Sequence, residues 1–498
     1  MINFKRSSAY LVPLLLVGCA VGPDFHQPAL QSGAGYMQTA LPQKTASAPG
    51  ALGSAQQLNV GEDIPGQWWT LFQSVQLNEL IDHAFKESPD IAAAQAALAV
   101  ARENMLAQRG SLFPSIGADA SGSRNATPTG SLAPVAANNQ RIYSLYTGEL
   151  TVSYSLDAFG LNRRMIESAS AQADNQRFEF EAARLTLSSN VVLSAVNVAS
   201  LRAQIDAQEE TIRANTTLGD ILERERELGE ASEADWLQQQ AALAAARAAL
   251  PPLQKQLALQ HDALSALVGG FPNEPLADDF DLSSLHLPED LPVSLPASLV
   301  EQRPDVLAAA AALHVASAQV GVAIANRLPQ ISLTAALGTS PSAIANAFTP
   351  YNQFFNVVGK VAQPLFQGGA LLHRQRAAEA SLQQASAQYR STVINAFQNV
   401  ADVLHSVQAD AQTLQAATAA ESAASHSLAI AQEEQRAGEA AYLSVLAAEQ
   451  TWEAARIASI HARAARLADT VALFQAAGGG WWNRADPMVA ADVSGHRK

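Results

Sequence analysis

One long unit occurs twice in this chain of 498 residues, and this duplication restricts the possible folds more than any other feature. Ser88-Pro89-Asp90-Ile91 recurs as Arg303-Pro304-Asp305-Val306, 215 residues later. Gly229-Glu230-Ala231 recurs as Gly438-Glu439-Ala440, 209 residues later. Because these motifs keep their order and nearly keep their spacing, the sequence predicts two copies of one supersecondary unit.

Each copy is predicted to contain a short helix, two strands, a long helix, a tight turn and a second short helix. Hydrophobic residues make up 48% of the chain and aromatic residues only 6%, a balance that favours long, closely packed helices. In the first copy, helix-forming residues dominate from Leu77 to Gln108, from Asn162 to Leu228 and from Ser232 to Leu267. The second of these stretches would be about 100 Å long at 1.5 Å per residue.

Alternating apolar and polar side chains indicate two strands in each copy. The alternation is clearest from Leu145 to Leu156 and from Ile331 to Gly338, and Ser115–Ser123 and Phe354–Leu365 complete the set. Strands of about ten residues are long enough to cross a bilayer in a tilted barrel. Since such a barrel needs at least eight strands and tolerates no lipid-exposed edge, several chains must share it. Three chains would supply twelve strands.

The N-terminus has the pattern of an exported lipoprotein. Lys5 and Arg6 precede an apolar run of about ten residues, which is too short to span a bilayer and is typical of a signal peptide. Leu16-Val17-Gly18-Cys19 then resembles a bacterial lipobox, so Cys19 is predicted to be acylated, and Ala20 favours the outer membrane. The alternative is a buried or unused cysteine. Beyond the signal we find no run of eighteen apolar residues, so no transmembrane helix is expected.

Several classes of function are excluded or disfavoured. A formal net charge of −15 and a pI near 5.1 leave no basic surface for nucleic acid. No phosphate-binding loop, zinc-protease motif or nucleophile elbow is present, so we expect neither an enzyme nor a cofactor. The ten histidines lack metal-ligand spacing, and five methionines give little support for a methionine-lined copper or silver route.

The chain is expected to divide into six segments. Residues 20 to about 65 have no sustained periodicity and are interpreted as an extended segment that leads away from the lipid. A region rich in proline and acidic residues separates the two copies and is interpreted as a connector. The predicted segments are a signal peptide (1–18), a lipid-anchored extended segment (19–75), repeat 1 (76–270), the connector (271–297), repeat 2 (298–478) and a C-terminal tail (479–498).

These residues resemble a known family, the outer-membrane efflux proteins or TolC-like channel-tunnels, in particular the lipoprotein branch called the NodT type. The resemblance covers nearly the whole mature chain. It implies a mainly α-helical fold with a small transmembrane β part, in which a trimeric twelve-stranded β-barrel continues into a twelve-helix periplasmic α-barrel. It also implies a periplasmic adaptor protein and an inner-membrane pump as partners. The motifs that carry it are Cys19–Phe25, Trp68–Phe72, Pro89–Ile91, Ser153–Gly160, Arg303–Val306 and Pro364–Gly369.

The two helix turns are the candidate functional ends. Gly229 and Gly438 lie at the ends of the long helices, so we expect them to form the periplasmic mouth, where an adaptor docks. Ser232 is predicted to cap the helix after the first turn, whereas Ala441 occupies the equivalent position of the second. Acidic residues crowd both turns, and the alternative to a charged gate is an ordinary solvated helix end. The candidate gate charges are Glu433, Glu434, Arg436 and Glu439.

The leading hypothesis is a passive efflux duct in the outer membrane of a Gram-negative bacterium, with small toxic compounds or drugs delivered by the pump. One alternative is a conduit for secreted polypeptides. Another is a non-conducting structural lipoprotein, and a solid coiled-coil bundle would fit that alternative. Strands of membrane-spanning length and the lipid anchor argue against a solid bundle.

Overall fold

The computed structural model describes residues 20–28, 36–37, 42–126, 128, 141–274, 276, 279–294 and 296–484. Cys19 and the predicted signal peptide lie outside these residues. The described elements follow the predicted order twice. The helices are α1 (Val75–Glu87), α2 (Pro89–Arg109), α3 (Leu161–Leu228), α4 (Glu233–Leu267), α5 (Pro296–Gln302), α6 (Pro304–Ala325), α7 (Ala370–Arg436) and α8 (Tyr442–Ala476). The strands are β1 (Gln57–Val60), β2 (Ser115–Ala126), β3 (Ile142–Leu156), β4 (Asp290–Val293), β5 (Gln330–Thr339) and β6 (Gln353–Ala362).

Two very long helices confirm the main helix predictions. α3 has 68 residues and α7 has 67, so each is about 100 Å long at 1.5 Å per residue. Each is followed by a turn and a helix of 35 residues. Helices of such length, repeated in the same order, are the structural counterpart of the duplicated sequence.

The first helix was predicted as one element from Leu77 to Gln108, and this was wrong. Ser88 is extended, with ψ at 122°, and separates α1 from α2. Pro89, at the first position of α2, has no amide hydrogen and disfavours helical backbone in the residue before it. The second copy has the same break at Arg303, before Pro304. The repeated X-Pro pair is therefore a helix boundary in both copies.

Four strands form one antiparallel sheet in the order β2-β3-β5-β6. The inner pair joins the two copies, because Leu150 of β3 pairs with Leu337 of β5. The strands contain 12, 15, 10 and 10 residues, so all four are long enough for a tilted membrane-spanning strand. β2 and β6 are left at the two edges of the sheet.

The N-terminal segment and the connector are more structured than predicted. The N-terminal segment contains β1 and the connector contains β4. The two strands form a parallel pair in which Gln57 lies opposite Asp290. The Arg466 guanidinium of α8 donates hydrogen bonds to the carbonyl oxygens of Leu52 (2.8 Å) and Ser54 (2.9 Å). Leu52 and Ser54 of the N-terminal segment are thus bonded to helix α8. The lipid anchor of this segment stays a prediction.

The chain divides into two compact units. The described residues of one fall within 20–28, 98–175 and 309–389 and contain the four-stranded sheet. The other contains the remaining described residues and a core built around Trp68, which is 1% exposed. Trp68 stacks on Phe474 with 5.3 Å between ring centroids and packs edge-on against Phe72.

Among the described residues one helix, α6, is long and apolar enough to cross a membrane by length and composition. The expectation of no transmembrane helix stays a prediction, because this criterion uses only length and composition. Buried helices of protein cores meet the same criterion, and 44% of the apolar window is buried inside the protein. Polar contacts also occur along α6, where Gln319 donates to the Ser168 hydroxyl at 2.8 Å.

Candidate functional site

The pairing register of the four-stranded sheet puts apolar side chains on one face of every strand. Ala118 of β2 pairs with Leu150 of β3, which pairs with Leu337 of β5, which pairs with Phe355 of β6. Phe355 is 80% exposed and Leu337 62%, so this apolar face is not covered by protein. Arg124, Ser144, Thr339 and Gln353 lie on the same face towards the strand ends. The other residues of the face are Ile116, Ala118, Ala120, Gly122, Ala126, Ile142, Tyr146, Gly148, Leu150, Val152, Tyr154, Leu156, Ile331, Leu333, Ala335, Leu337, Phe355, Val357, Gly359 and Val361.

The opposite face of the same sheet is mostly polar, with Leu145, Ala336, Phe354, Val358 and Ala362 as apolar exceptions. Asp119 of β2 lies directly opposite Glu149 of β3. Like charges in this position repel each other across a strand pair, so the arrangement costs stability. A sheet with one exposed apolar face and one charged face suits a wall between lipid and water.

The first described residues lie against the junction between β3 and α3. The Val21 amide donates to the Phe159 carbonyl at 3.2 Å. A Cβ at Gly160 would lie 2.6 Å from the Cα of Ala20, and Gly160 has φ at +77°. Glycine is therefore required here for both conformation and space.

Arg164 holds this segment in place. Its side chain is only 4% exposed. The guanidinium donates to the carbonyl oxygens of Val21 (2.9 Å) and Gly22 (3.2 Å). It also pairs with the carboxylates of Asp24 at 2.8 Å and Glu167 at 2.7 Å. Burial lowers the pKa of Arg164, but the hydrogen bonds to the two carboxylates more than offset this, so its pKa lies above the usual value.

Phe25 extends the same contact to α6. Its ring stacks on His314 with 4.3 Å between centroids, and His314 Nε2 lies 2.9 Å from Glu167 Oε1. We define the N-terminal clasp as residues 20–25 together with Arg164, Glu167 and His314. Sequence analysis recognised the motif of residues 19–25 as a family signature but did not predict its three partners.

The two helix turns have the same backbone hydrogen bonds. The Glu230 amide donates to the Glu225 carbonyl at 2.7 Å, and the Glu439 amide donates to the Glu434 carbonyl at 2.8 Å. Gly229 and Gly438 have φ at +82° and +75°, and a Cβ at either would meet nothing within 4 Å. Glycine is favoured at both turns by the left-handed backbone and not by lack of space.

The two turns differ in their caps, as the sequence predicts. The Ser232 hydroxyl accepts a hydrogen bond from the Asp235 amide at 3.1 Å and donates to the Asp235 carboxylate at 2.6 Å. Ala441 provides no side-chain cap for α8. At the first turn Arg226 also pairs with Glu233 at 2.9 Å. The second turn therefore has fewer side-chain contacts.

The candidate gate charges are all at the surface. Arg436 pairs with Glu433 one helical turn away in the same chain, and both side chains are about 70% exposed. Glu434 and Glu439 are exposed as well. Arg436 therefore already has a carboxylate partner within its own helix.

A buried polar network near the turns was not predicted. Glu449 of α8 accepts a hydrogen bond from the Asn215 side chain of α3 at 3.3 Å. The Gln239 side chain of α4 donates to the Asn215 carbonyl at 2.6 Å, and the Tyr442 hydroxyl donates to the Gln239 side chain. Burial raises the pKa of Glu449 to about 7. The sequence does contain a signal for the burial of Glu449. Tyr442, Val445, Leu446 and Glu449 have the spacing of one helix face, and all four are buried.

The described residues contain no group of three or more histidine, cysteine, aspartate or glutamate side chains that could hold a metal ion.

Comparisons with known proteins agree on one class. The family model described as outer membrane efflux protein matches residues 80–270 and 295–479. The cation efflux system protein CusC of Escherichia coli O6:H1 is 30% identical over 480 residues, which cover 95% of this chain and 98% of CusC. The toluene efflux pump outer membrane protein TtgC of Pseudomonas putida is 29% identical over 483 residues, which cover 96% of each chain. The crystal structure of the outer membrane protein VceC of Vibrio cholerae superposes with a TM-score of 0.78 at 28% identity, covering 84% of this chain and 99% of VceC.

Proposed function

The chain belongs to the outer membrane efflux protein family, and from this premise we propose that it is the outer-membrane channel subunit of a tripartite efflux system. The observation that carries the proposal is the register of the sheet. It gives all four strands one exposed apolar face and one mostly polar face. The apolar face would meet lipid and the polar face would line a water-filled path.

The open edges of the sheet support a trimer. Among the described residues of one chain, β2 and β6 each have an unpaired edge, and such edges are not tolerated in lipid. Pairing β6 of one chain with β2 of the next would close a barrel, and three chains would give twelve strands. The long helices that follow β3 and β6 would then form the wall of a periplasmic tunnel.

The N-terminal clasp supports acylation of Cys19. Cys19 is bonded to Ala20, whose backbone lies against Gly160 at the end of β3. An acyl chain on Cys19 would therefore enter the membrane beside the barrel strands. Two or more acyl chains are sufficient for stable anchoring, since each buried methylene contributes about 0.8 kcal/mol.

We assign the cargo only as small toxic compounds or drugs. One relative is named for cations and another for toluene, although both align over nearly their whole length. If channels of the same fold carry such different compounds, the channel itself discriminates little between them. The inner-membrane pump would then select the compound that is exported. We attribute to this chain the passive conduit and no enzymatic reaction.

The turns at Gly229 and Gly438 are proposed as the periplasmic mouth and the docking site of the adaptor. The helices that end there are about 100 Å long and begin next to membrane strands, so their far ends would lie deep in the periplasm. Glu433, Glu434, Arg436 and Glu439 would then line the mouth, each in three copies. Exposed ion pairs contribute only about 0.2–1 kcal/mol, which suits a closure that an adaptor must open.

Single-channel recording in planar bilayers tests the proposal. We expect purified protein to form discrete ion-conducting channels. A protein that inserts but never conducts would instead indicate the structural lipoprotein. Efflux of small toxic compounds in a deletion strain complemented with the gene separates the remaining alternative, because a dedicated polypeptide conduit would not restore resistance.

A further inference from the structure

Glu449 is a buried acidic residue, and the described residues provide no cation that neutralises it. The residue is 3% exposed. Its Oε1 accepts one hydrogen bond of 3.3 Å from Asn215, and Oε2 has no hydrogen-bond partner among the described residues. Nor does any described lysine, arginine or histidine form an ion pair with it. A buried carboxylate with so few contacts is costly as a charged group.

The nearest acidic neighbour makes ionisation more costly still. Glu453 follows one helical turn later on α8, and its Oε1 also lacks a partner among the described residues. Its charge disfavours a second charge on Glu449. Burial raises the pKa of Glu453 as well, although a hydrogen bond with Thr211 of α3 opposes this.

On the helices of this network and on α7, other charged groups are paired with other residues or exposed. On α8, Arg456 pairs with Glu210 of α3 at 2.6 Å. On α4, Asp235 is bonded to Ser232. Burial raises the pKa of Tyr442 above its usual value, so its hydroxyl stays protonated. On α7, Glu421 pairs with Arg463 at 3.5 Å, and His426, Glu433 and Glu434 are exposed.

We propose that Glu449 is a proton-binding site, and that the bound proton stabilises the packing of α8 against α3 and α4. A neutral Glu449 still accepts the Asn215 hydrogen bond on Oε1, while the desolvation cost and the repulsion from Glu453 are removed. The physiological consequence rests on the proposed function, because Glu449 lies only about 10 Å along α8 from the turn proposed as the mouth.

The direction of the pH effect follows from the two states. With α8 packed, burial first and Glu453 second raise the pKa of Glu449 to about 7, from an ordinary value of 4.5. If α8 separates from α3, water reaches the carboxyl group and its pKa returns towards 4.5. The packed state therefore gains stability at acidic pH and loses it as the pH rises through about 7. For one Glu449, opening of the mouth should become up to about tenfold more frequent between pH 6 and pH 8.

Infrared difference spectroscopy tests the proton directly on the purified full-length protein. The spectrum at pH 6 minus that at pH 8 should contain the carbonyl stretch of a protonated carboxylic acid. Glu449→Gln should remove the part of that band that Glu449 contributes, while Asp469 of α8, whose pKa burial also raises to about 7, should still contribute. Glu449→Asp should retain the Glu449 part with a shifted midpoint. Glu209→Gln, at a half-exposed glutamate of α3, is the matched control and should leave the band unchanged. A band that persists at full intensity in correctly assembled Glu449→Gln protein overturns the proposal.

Single-channel recording between pH 6 and pH 8 tests the consequence. Glu449→Gln should open as rarely at pH 8 as the parent does at pH 6, whereas Glu209→Gln should respond like the parent. A normal pH response in Glu449→Gln contradicts the coupling of the proton to opening. If the parent protein forms no channels at all, the proposed function fails, and the infrared band still decides whether Glu449 binds a proton.

Discussion

At the scale of single residues, Arg164 holds residues 20–25 of the N-terminal segment against α3. It bonds two backbone carbonyls and the Asp24 carboxylate, and Glu167 fixes the other side of its guanidinium. Hydrogen bonds to charged groups contribute about 1.5–3 kcal/mol each. Much of the binding of residues 20–25 should therefore depend on this one side chain.

Replacing Arg164 with methionine should release the N-terminal segment. We expect chymotrypsin to cut after Phe25 roughly ten times faster or more, since the lost hydrogen bonds leave carbonyl groups without partners. Fragment appearance is followed by mass spectrometry. Arg163→Met is the matched control, because Arg163 bonds Asp157 and not the segment. Equal cleavage in both variants would show that Arg164 does not hold the segment.

Replacing Cys19 with alanine should abolish acylation, because the processing signal needs the thiol. Unprocessed or mislocalised precursor should accumulate. Metabolic labelling with palmitate measures the outcome, and Arg164→Met serves as a control that should still take up label. Label retained in Cys19→Ala would refute the lipoprotein assignment.

At the scale of elements, both turns depend on glycine for backbone conformation alone. A side chain at positive φ costs about 1 kcal/mol for most residues, whereas asparagine adopts this conformation more readily. At the second turn the following helix has no side-chain cap. Fewer contacts therefore hold the backbone of this turn in place when Gly438 is replaced.

Gly438→Val should therefore reduce efflux while trimers and outer-membrane location persist. Gly438→Asn is the matched control and should keep most of the activity, because the turn has room for a side chain. Minimum inhibitory concentrations and membrane fractionation measure the two effects. Normal efflux in Gly438→Val would argue that the mouth lies elsewhere.

The strand register makes a prediction about ion selectivity. Asp119 and Glu149 face each other on the polar face, where a trimer would present six carboxylates to the water-filled path. Asp119→Asn combined with Glu149→Gln should make the channel less cation-selective, as measured by the reversal potential in a salt gradient. Lys360 lies on the same face, so Lys360→Gln should shift the reversal potential in the opposite direction. Unchanged reversal potentials in both variants would place these residues away from the ion path.

At the scale of the whole molecule, one chain does not supply a closed barrel. We expect detergent-solubilised protein to contain three chains, because β2 and β6 would otherwise keep open edges in lipid. Light scattering or native mass spectrometry gives the number directly. A stable monomer that still conducts ions would contradict the shared barrel.

Much of the fold could be predicted because the signals are local. The duplicated X-Pro and glycine motifs, the helical stretch ending at Leu228 and the alternation before Leu156 each depend on neighbours within a few positions. The break at Ser88 is equally local, because Pro89 disfavours helical backbone in the residue before it.

The sequence by itself determined the two copies, the order of the long helices and of the four strands of the larger sheet, and the apolar face of β3 and β5. Only the tertiary structure decided that β3 pairs with β5, that β1 pairs with β4, that Arg164 binds the N-terminal segment, and that Glu449 is buried against Asn215. The physical reason is the distance along the chain. These contacts join residues more than 140 positions apart in the sequence. The local sequence around each residue does not depend on its distant partner, so it does not indicate the contact.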